Sequence, residues 1–210
     1  MQRLLSSTGW DPDLVRDDLR SYGGCPGTGV GVTARWVTGD AVYGQYYKLR
    51  QALEDRNVFY VLAVPVTQRV IAKTGALGAE WRADALIAAL PATAWRTRTA
   101  GASSKGDRRY AWARARINGT RDPEAEHWLL ARRSPRGNPT EIAYYLCHGP
   151  KRVALADLAR AAGARWAIEE TFQTSKGETG LDHYQVRQYT GWYRHITLAM
   201  LAHAFLTVIR

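Results

Sequence analysis

Apolar and polar residues follow three successive patterns along the chain, and each pattern predicts its own kind of element. In residues 1–22, Leu14, Val15 and Leu19 share one face of a helix that Asp11 would cap and Pro12 would open. Residues 23–29 then bring four glycines and a proline, a loop signal with no phosphate-binding context. From residue 34 the run Ala-Arg-Trp-Val-Thr-Gly-Asp predicts a short strand ending at Asp40, followed by helical spacing over 43–56 through Tyr47, Leu49 and Leu53. The continuous apolar run 58–64, bounded by Asn57 and Pro65, predicts a strand buried on both faces. Strand, helix and strand in this order make a parallel unit, and carboxylates at the C-terminal ends of such strands point into functional clefts.

Residues 81–90 have helical spacing, and residues 93–147 then change to short strand candidates at 93–98, 110–117, 127–133 and 141–147. Turns rich in Gly, Pro, Asp and Asn separate these strands, as in an antiparallel insert. Helical patterns return at 155–162, 165–176 and 192–209, all without internal proline. The expected organisation is a helical remnant (1–22), a glycine-rich junction (23–33), a first α/β part (34–92), a β-rich insert (93–148) and a C-terminal helical part (149–210).

Composition narrows the partner. The chain of 210 residues is long enough for one sizeable core, and 29 basic against 19 acidic residues leave a net charge of +10. Residues 96–136 alone hold eleven basic and four acidic side chains, a net +7, with Arg108, Arg109, Arg132 and Arg133 in adjacent pairs. Such a cluster favours a polyanion, nucleic acid first. Arg makes up 24 of the 29 cations, which suits planar phosphate contacts and equally fits a GC-rich bacterial genome. No stretch approaches the roughly 20 apolar residues of a membrane span. Charges throughout 1–21 argue against a secretory signal, and with only two cysteines a reducing cytoplasm is expected. Two cysteines, Cys25 and Cys147, exclude a disulfide framework and a cysteine-based zinc site.

The sharpest local feature is Arg165-Trp-Ala-Ile-Glu169-Glu-Thr-Phe-Gln173-Thr-Ser-Lys176. On a helix Arg165, Glu169, Gln173 and Lys176 form one polar stripe. A solvated face with an Arg165–Glu169 pair accounts for the spacing. The flanking Trp166, Ile168 and Phe172 instead predict a largely buried helix, in which a carboxylate would hold a metal and cations would hold phosphate.

This stripe resembles the signature of bacterial insertion-sequence transposases of the DDE type, in the branch marked by Tyr, Arg, Glu and Lys. Arg165, Glu169 and Lys176 stand at that branch's spacings, whereas its Tyr position is Ala162. The segment Trp36-Val-Thr-Gly-Asp40-Ala-Val-Tyr-Gly44 is similar to the family's strand with the second catalytic aspartate. Residues 180–187 and 191–200 are similar to its C-terminal helices. The resemblance covers residues 30–210 and implies an α/β, ribonuclease H-like fold with a β-rich insert, here incomplete at its N-terminal strands. It implies metal-dependent cleavage and joining of DNA at transposon ends. Asp40 and Glu169 would be catalytic and metal-binding, and Mg2+ or Mn2+ would form a two-ion site. Arg165, Lys176, Trp166, Arg108, Arg109, Arg132 and Arg133 would meet DNA, with Trp166 able to stack on a base. A homodimer or a heterodimer with an intact transposase is the accompanying expectation, without a membrane.

The family's first aspartate has no match. An internal deletion at the glycine-rich junction accounts for this, together with shortening at the C-terminus, and leaves Asp17 and Asp18 as the nearest substitutes. The expected state is therefore a catalytically impaired transposase; the alternative is a non-catalytic DNA-binding remnant or inhibitor. RNA binding would rest on charge alone. His127, His148, His183, His195 and His203 lack metal-ligand spacing; His195 and His203 are expected to be satisfied structural residues, Cys147 a strand end, and Glu170 a solvated neighbour of Glu169.

Overall fold

The structure, a computed structural model, describes residues 36–73, 78–103, 106–119, 123–135, 141–185 and 188–209. The expected helix in 1–22 and the junction 23–33, with Asp17 and Asp18, lie outside the described residues. The chain divides after Ala162 into two units.

In the first unit, β1 (Trp36–Gly39) leads into two short helices, α1 (Ala41–Gln45) and α2 (Tyr47–Glu54), and then β2 (Phe59–Val64). β1 and β2 are parallel, with Trp36 beside Phe59 and Gly39 beside Leu62, as the strand-helix-strand pattern predicts. The single helix expected over 43–56 is broken at Tyr46, whose backbone is extended (φ −80°, ψ 96°). The Arg50 guanidinium donates to the Gly44 carbonyl exposed at that break. A hairpin of β3 (Arg69–Ile71) and β4 (Glu80–Arg82) precedes α3 (Ala83–Ala88).

The four strand candidates of the basic segment form β5 (Arg96–Ser103), β6 (Gly106–Ile117), β7 (Ala125–Arg133) and β8 (Ile142–Pro150). Residues 92–94, at the start of the first candidate, form a 3-10 turn instead, where Ala94 N–H returns to the Pro91 carbonyl. These strands run antiparallel in turn, and β8 also pairs antiparallel with β2, giving the sheet order β1-β2-β8-β7-β6-β5. One sheet therefore includes both the parallel pair and the basic strands.

Alternation along β2, β7 and β8 fills both faces of this sheet. Leu62, Leu129 and Leu146 pack with Leu53 of α2 and Ile87 of α3 on one face. Val61, Trp128, Leu130 and Trp112 pack on the other against Leu158 and Ala159 of α4 (Leu155–Thr179). The two helices expected at 155–162 and 165–176 are thus one, because Gly163 and Ala164 continue the turn without a break.

On the α2 face a polar group is built into this apolar layer. Tyr60 OH donates to Glu54 Oε1 at 2.7 Å, and His127 Nε2 lies 2.9 Å from the same oxygen. A carboxylate only accepts, so Nε2 carries the hydrogen. His148, directly across from His127 on β8, stacks on it with ring centroids 4.8 Å apart. Burial alone would raise the Glu54 pKa, but the bonds from His127 and Tyr60 and the charge of the two imidazoles outweigh it, so the pKa is lowered. Burial and the neighbouring Glu54 push the Tyr60 phenol up, so it remains a donor.

A lowered folded pKa gives stability that is full above the unfolded value and lost as pH falls through the folded one. Glu54→Gln should therefore cost about 1.5–3 kcal/mol at pH 7, the typical worth of a hydrogen bond to a charged group. In urea melts the gap from the parent should close as pH falls below about 4.5, the ordinary value for this group. A gap that stays constant down to pH 3 would show that the carboxylate charge is not what stabilises.

Candidate functional site

Asp40 stands where β1 ends and α1 begins. Its Oδ1 accepts from Val42 N–H at 3.0 Å and Tyr43 N–H at 3.4 Å, so the carboxylate is the N-cap of α1. Its backbone carbonyl accepts from Gly44 N–H at 2.9 Å. Gly44 lets this turn lie directly on β2: a Cβ there would fall 1.8 Å from the Ala63 carbonyl oxygen. Among the described residues Oδ2 receives no hydrogen bond and remains available to a ligand.

In the second unit, Arg165 pairs with Glu169 across one helical turn at 2.7 Å, both side chains nearly half exposed. Gln173 and Lys176 continue the stripe on the exposed side of α4. The expected burial of this helix is corrected: Trp166 (47 %), Ile168 (53 %) and Phe172 (47 %) are all exposed. At about 100° per residue Ile168 and Phe172 point roughly 160–120° away from Trp166, so no single face buries all three. Within residues 165–176 the fully buried position is Ser175, whose hydroxyl donates to the Thr171 carbonyl at 2.7 Å. Glu170, expected to be solvated, is half-buried.

α4 ends at Gly180, whose positive φ (+64°) suits a helix-terminating glycine. α5 (Tyr189–Ile209) follows. His195 of α5 bonds the Gly180 carbonyl at 3.0 Å and stacks on Tyr184, a structural role as expected. His203 differs from that expectation: its Nδ1 is buried with no partner among the described residues.

Strand alternation divides the basic cluster. Arg132 lies opposite Trp112 and over the Tyr110 ring at 4.6 Å, on the sheet face of Trp128 and Leu130. Arg133 lies opposite Ala111 and over Trp95 at 4.0 Å, on the other face. By the same alternation Arg108 shares the face of Arg132, and Arg109 that of Arg133. Arg114, lowered in pKa by burial and by Arg116, bonds the Val153 carbonyl at 2.8 Å and serves packing. Cys147 is not at a strand end: it is fully buried inside β8, where burial pushes its thiol up and makes it inert.

Among the described residues no three or more His, Cys, Asp or Glu side chains gather as a metal-binding group, and no helix is long and apolar enough to cross a membrane. The linear reading missed the Glu54, Tyr60, His127 and His148 group, because Glu54 and His127 are 73 residues apart. Only the β7–β8 register places the two histidines side by side.

Residues 11–205 match the family model described as Transposase DDE domain. No curated protein matches the chain.

The capping geometry separates two roles of Asp40. Asp40→Ala should lose about 1 kcal/mol of stability, whereas Asp40→Asn should be nearly neutral because an amide oxygen caps as well. Thermal melts of both variants check this. Equal loss in the two would mean that the charge, rather than the cap, holds α1.

Proposed function

Because the chain belongs to the family of transposase DDE domains, we propose that it is a transposase acting on DNA at the ends of an insertion sequence by metal-dependent strand cleavage and joining. The observation carrying this reading is the family match itself, which spans both Asp40 and Glu169. Asp40 leaves one carboxylate oxygen outside its cap, and hard oxygen donors of this kind suit Mg2+ or Mn2+. Asp40 and Glu169 are the residues that would hold the ions. When bound, a cation pair supplies activation of the attacking oxygen and stabilisation of the leaving one. Arg165, which already pairs with Glu169, and Lys176 set phosphate-binding charge along the same helical stripe. Trp166 offers an exposed ring to a base. The proposed partners are transposon-end DNA and a second transposase chain, either identical or intact.

The missing first aspartate favours an impaired copy. Removing one ligand from a site of hard oxygen donors weakens metal binding and loosens the alignment of attack. A non-catalytic protein that occupies transposon ends is the second reading, and it rests on the same absence.

A nicking assay on DNA bearing the element's ends, with Mg2+ or Mn2+ and a Glu169→Ala control, tests these readings. The expected result is DNA binding with no cleavage above the control. Metal-dependent nicking that the control abolishes would overturn impairment and uphold the transposase. Failure to bind DNA at all would overturn both readings.

DNA affinity should also fall with salt, since each neutralised phosphate releases counterions. Replacing Arg108, Arg109, Arg132 and Arg133 by Ala should flatten the slope of log K against log salt by up to about 0.9 for each phosphate no longer neutralised. The double variants Arg108/Arg132 and Arg109/Arg133 remove one sheet face at a time, and the pair that changes the slope identifies the DNA-facing side. Unchanged binding by the quadruple variant at every salt concentration would reduce the cluster to a solvated surface.

A further inference from the structure

Between α2 and the β3–β4 hairpin the first unit contains a cavity of about 410 Å³, in the range of small-molecule pockets. It runs along α2, and neither Asp40 nor Glu169 is among the residues that line it. Glu54 lines it. Oε1 of Glu54 accepts both Tyr60 OH and His127 Nε2, and those bonds fix the carboxylate in place. Oε2 receives no donor among the described residues, leaving a half-buried acceptor on the cavity wall.

The other linings restrict what that acceptor can take. Val70, Ile117 and Leu146 give apolar walls, and the exposed Tyr47 ring stands among the lining residues. Arg50 and Arg69 bring positive charge, Arg50 while one of its guanidinium nitrogens donates to the Gly44 carbonyl. Arg69 is tied to Glu80 at 2.9 Å, but both are well exposed, and such a pair is easily exchanged for a phosphate. A bare cation would meet the two arginines, and a bare anion would meet Glu54. A planar body with an N–H donor at one end and an anionic group at the other matches Glu54, the apolar walls and the two arginines, with the anion taking the place of Glu80 on Arg69.

We propose that this cavity binds a nucleotide whose base carries an exocyclic amino group. The amino group donates to Glu54 Oε2, as a carboxylate accepts from cytosine N4. The ring lies between the apolar walls and Tyr47, and the phosphate faces Arg50 and Arg69. The assignment needs neither Asp40 nor Glu169, so it stands or falls separately from the transposase reading. The nucleotide can be free or an unpaired residue of a DNA strand.

Calorimetric titration of the full chain with dCMP and dTMP, and with short oligothymidines containing one dC or none, tests both sources. The expected preference for the amino-bearing base is about tenfold or more. A preference in the mononucleotide arm identifies a free nucleotide as a ligand; a preference confined to the oligonucleotide arm identifies an unpaired strand residue. N4,N4-dimethyl-dCMP has no N–H to give and should bind as weakly as dTMP. Glu54→Gln, which presents an N–H2 group in place of Oε2, should abolish or reverse the preference. Arg69→Ala should weaken dCMP and dTMP alike and leave their ratio unchanged. Equal binding of amino-bearing and thymine ligands in both arms, tight binding of the dimethyl analogue, or an unchanged ratio in folded Glu54→Gln would each overturn the proposal.

Discussion

The hydrogen bonds between β2 and β8 join two parts of the chain that would otherwise be separate. β2 is parallel to β1 on one side and antiparallel to β8 on the other, so the pairing of Leu62 with Leu146 continues one ladder from Trp36 to Ser103. Because helices cover both sides of β2, both its faces are apolar: Leu62 faces α2 and α3, while Val61 faces α4. Asp40 and the Glu54 group of the first unit both depend on this strand. Asp40 is carried by the parallel neighbour β1, Gly44 rests on Ala63, and Tyr60 reaches into the Glu54 group.

Burying that polar group beside leucines is tolerated because its hydrogen bonds are made. The carboxylate of Glu54 accepts two donors, and the donors come from β2 and β7, so the bonds tie α2 to the sheet as well as satisfying the charge. An ionised group held in this way costs less than an unpaired one and remains chemically available on its other oxygen. Glu126, almost fully buried, is treated similarly, with Lys73 at 2.8 Å.

The arginines follow a different principle. Arg132 and Arg133 sit on aromatic rings, which bury their stems and orient their guanidiniums while leaving the charge for a partner. Strand geometry then sends neighbours in sequence to opposite faces, so a run that reads as a single basic patch forms two. The +7 of the segment is therefore a statement about attraction to polyanions, and the face that meets them is a matter of the fold.

Much of the secondary structure was legible in the sequence, because local patterns decide it. The apolar run 58–64 contains β2, the strand candidates at 110–117, 127–133 and 141–147 match β6, β7 and β8, and the segments expected to be helical at 155–162, 165–176 and 192–209 are helical. Asp40 at a strand end and the Arg165–Glu169 pair also follow from spacing alone. The break at Tyr46, the exposure of Trp166 and the addition of β8 to β2 were not legible, since each depends on what packs from elsewhere. The same limit hid the polar group around Glu54. A sequence records which residues have the chemistry, but bringing Glu54, Tyr60 and His127 within 3 Å requires strand register and a helix laid across the sheet, and those are set by the packed core.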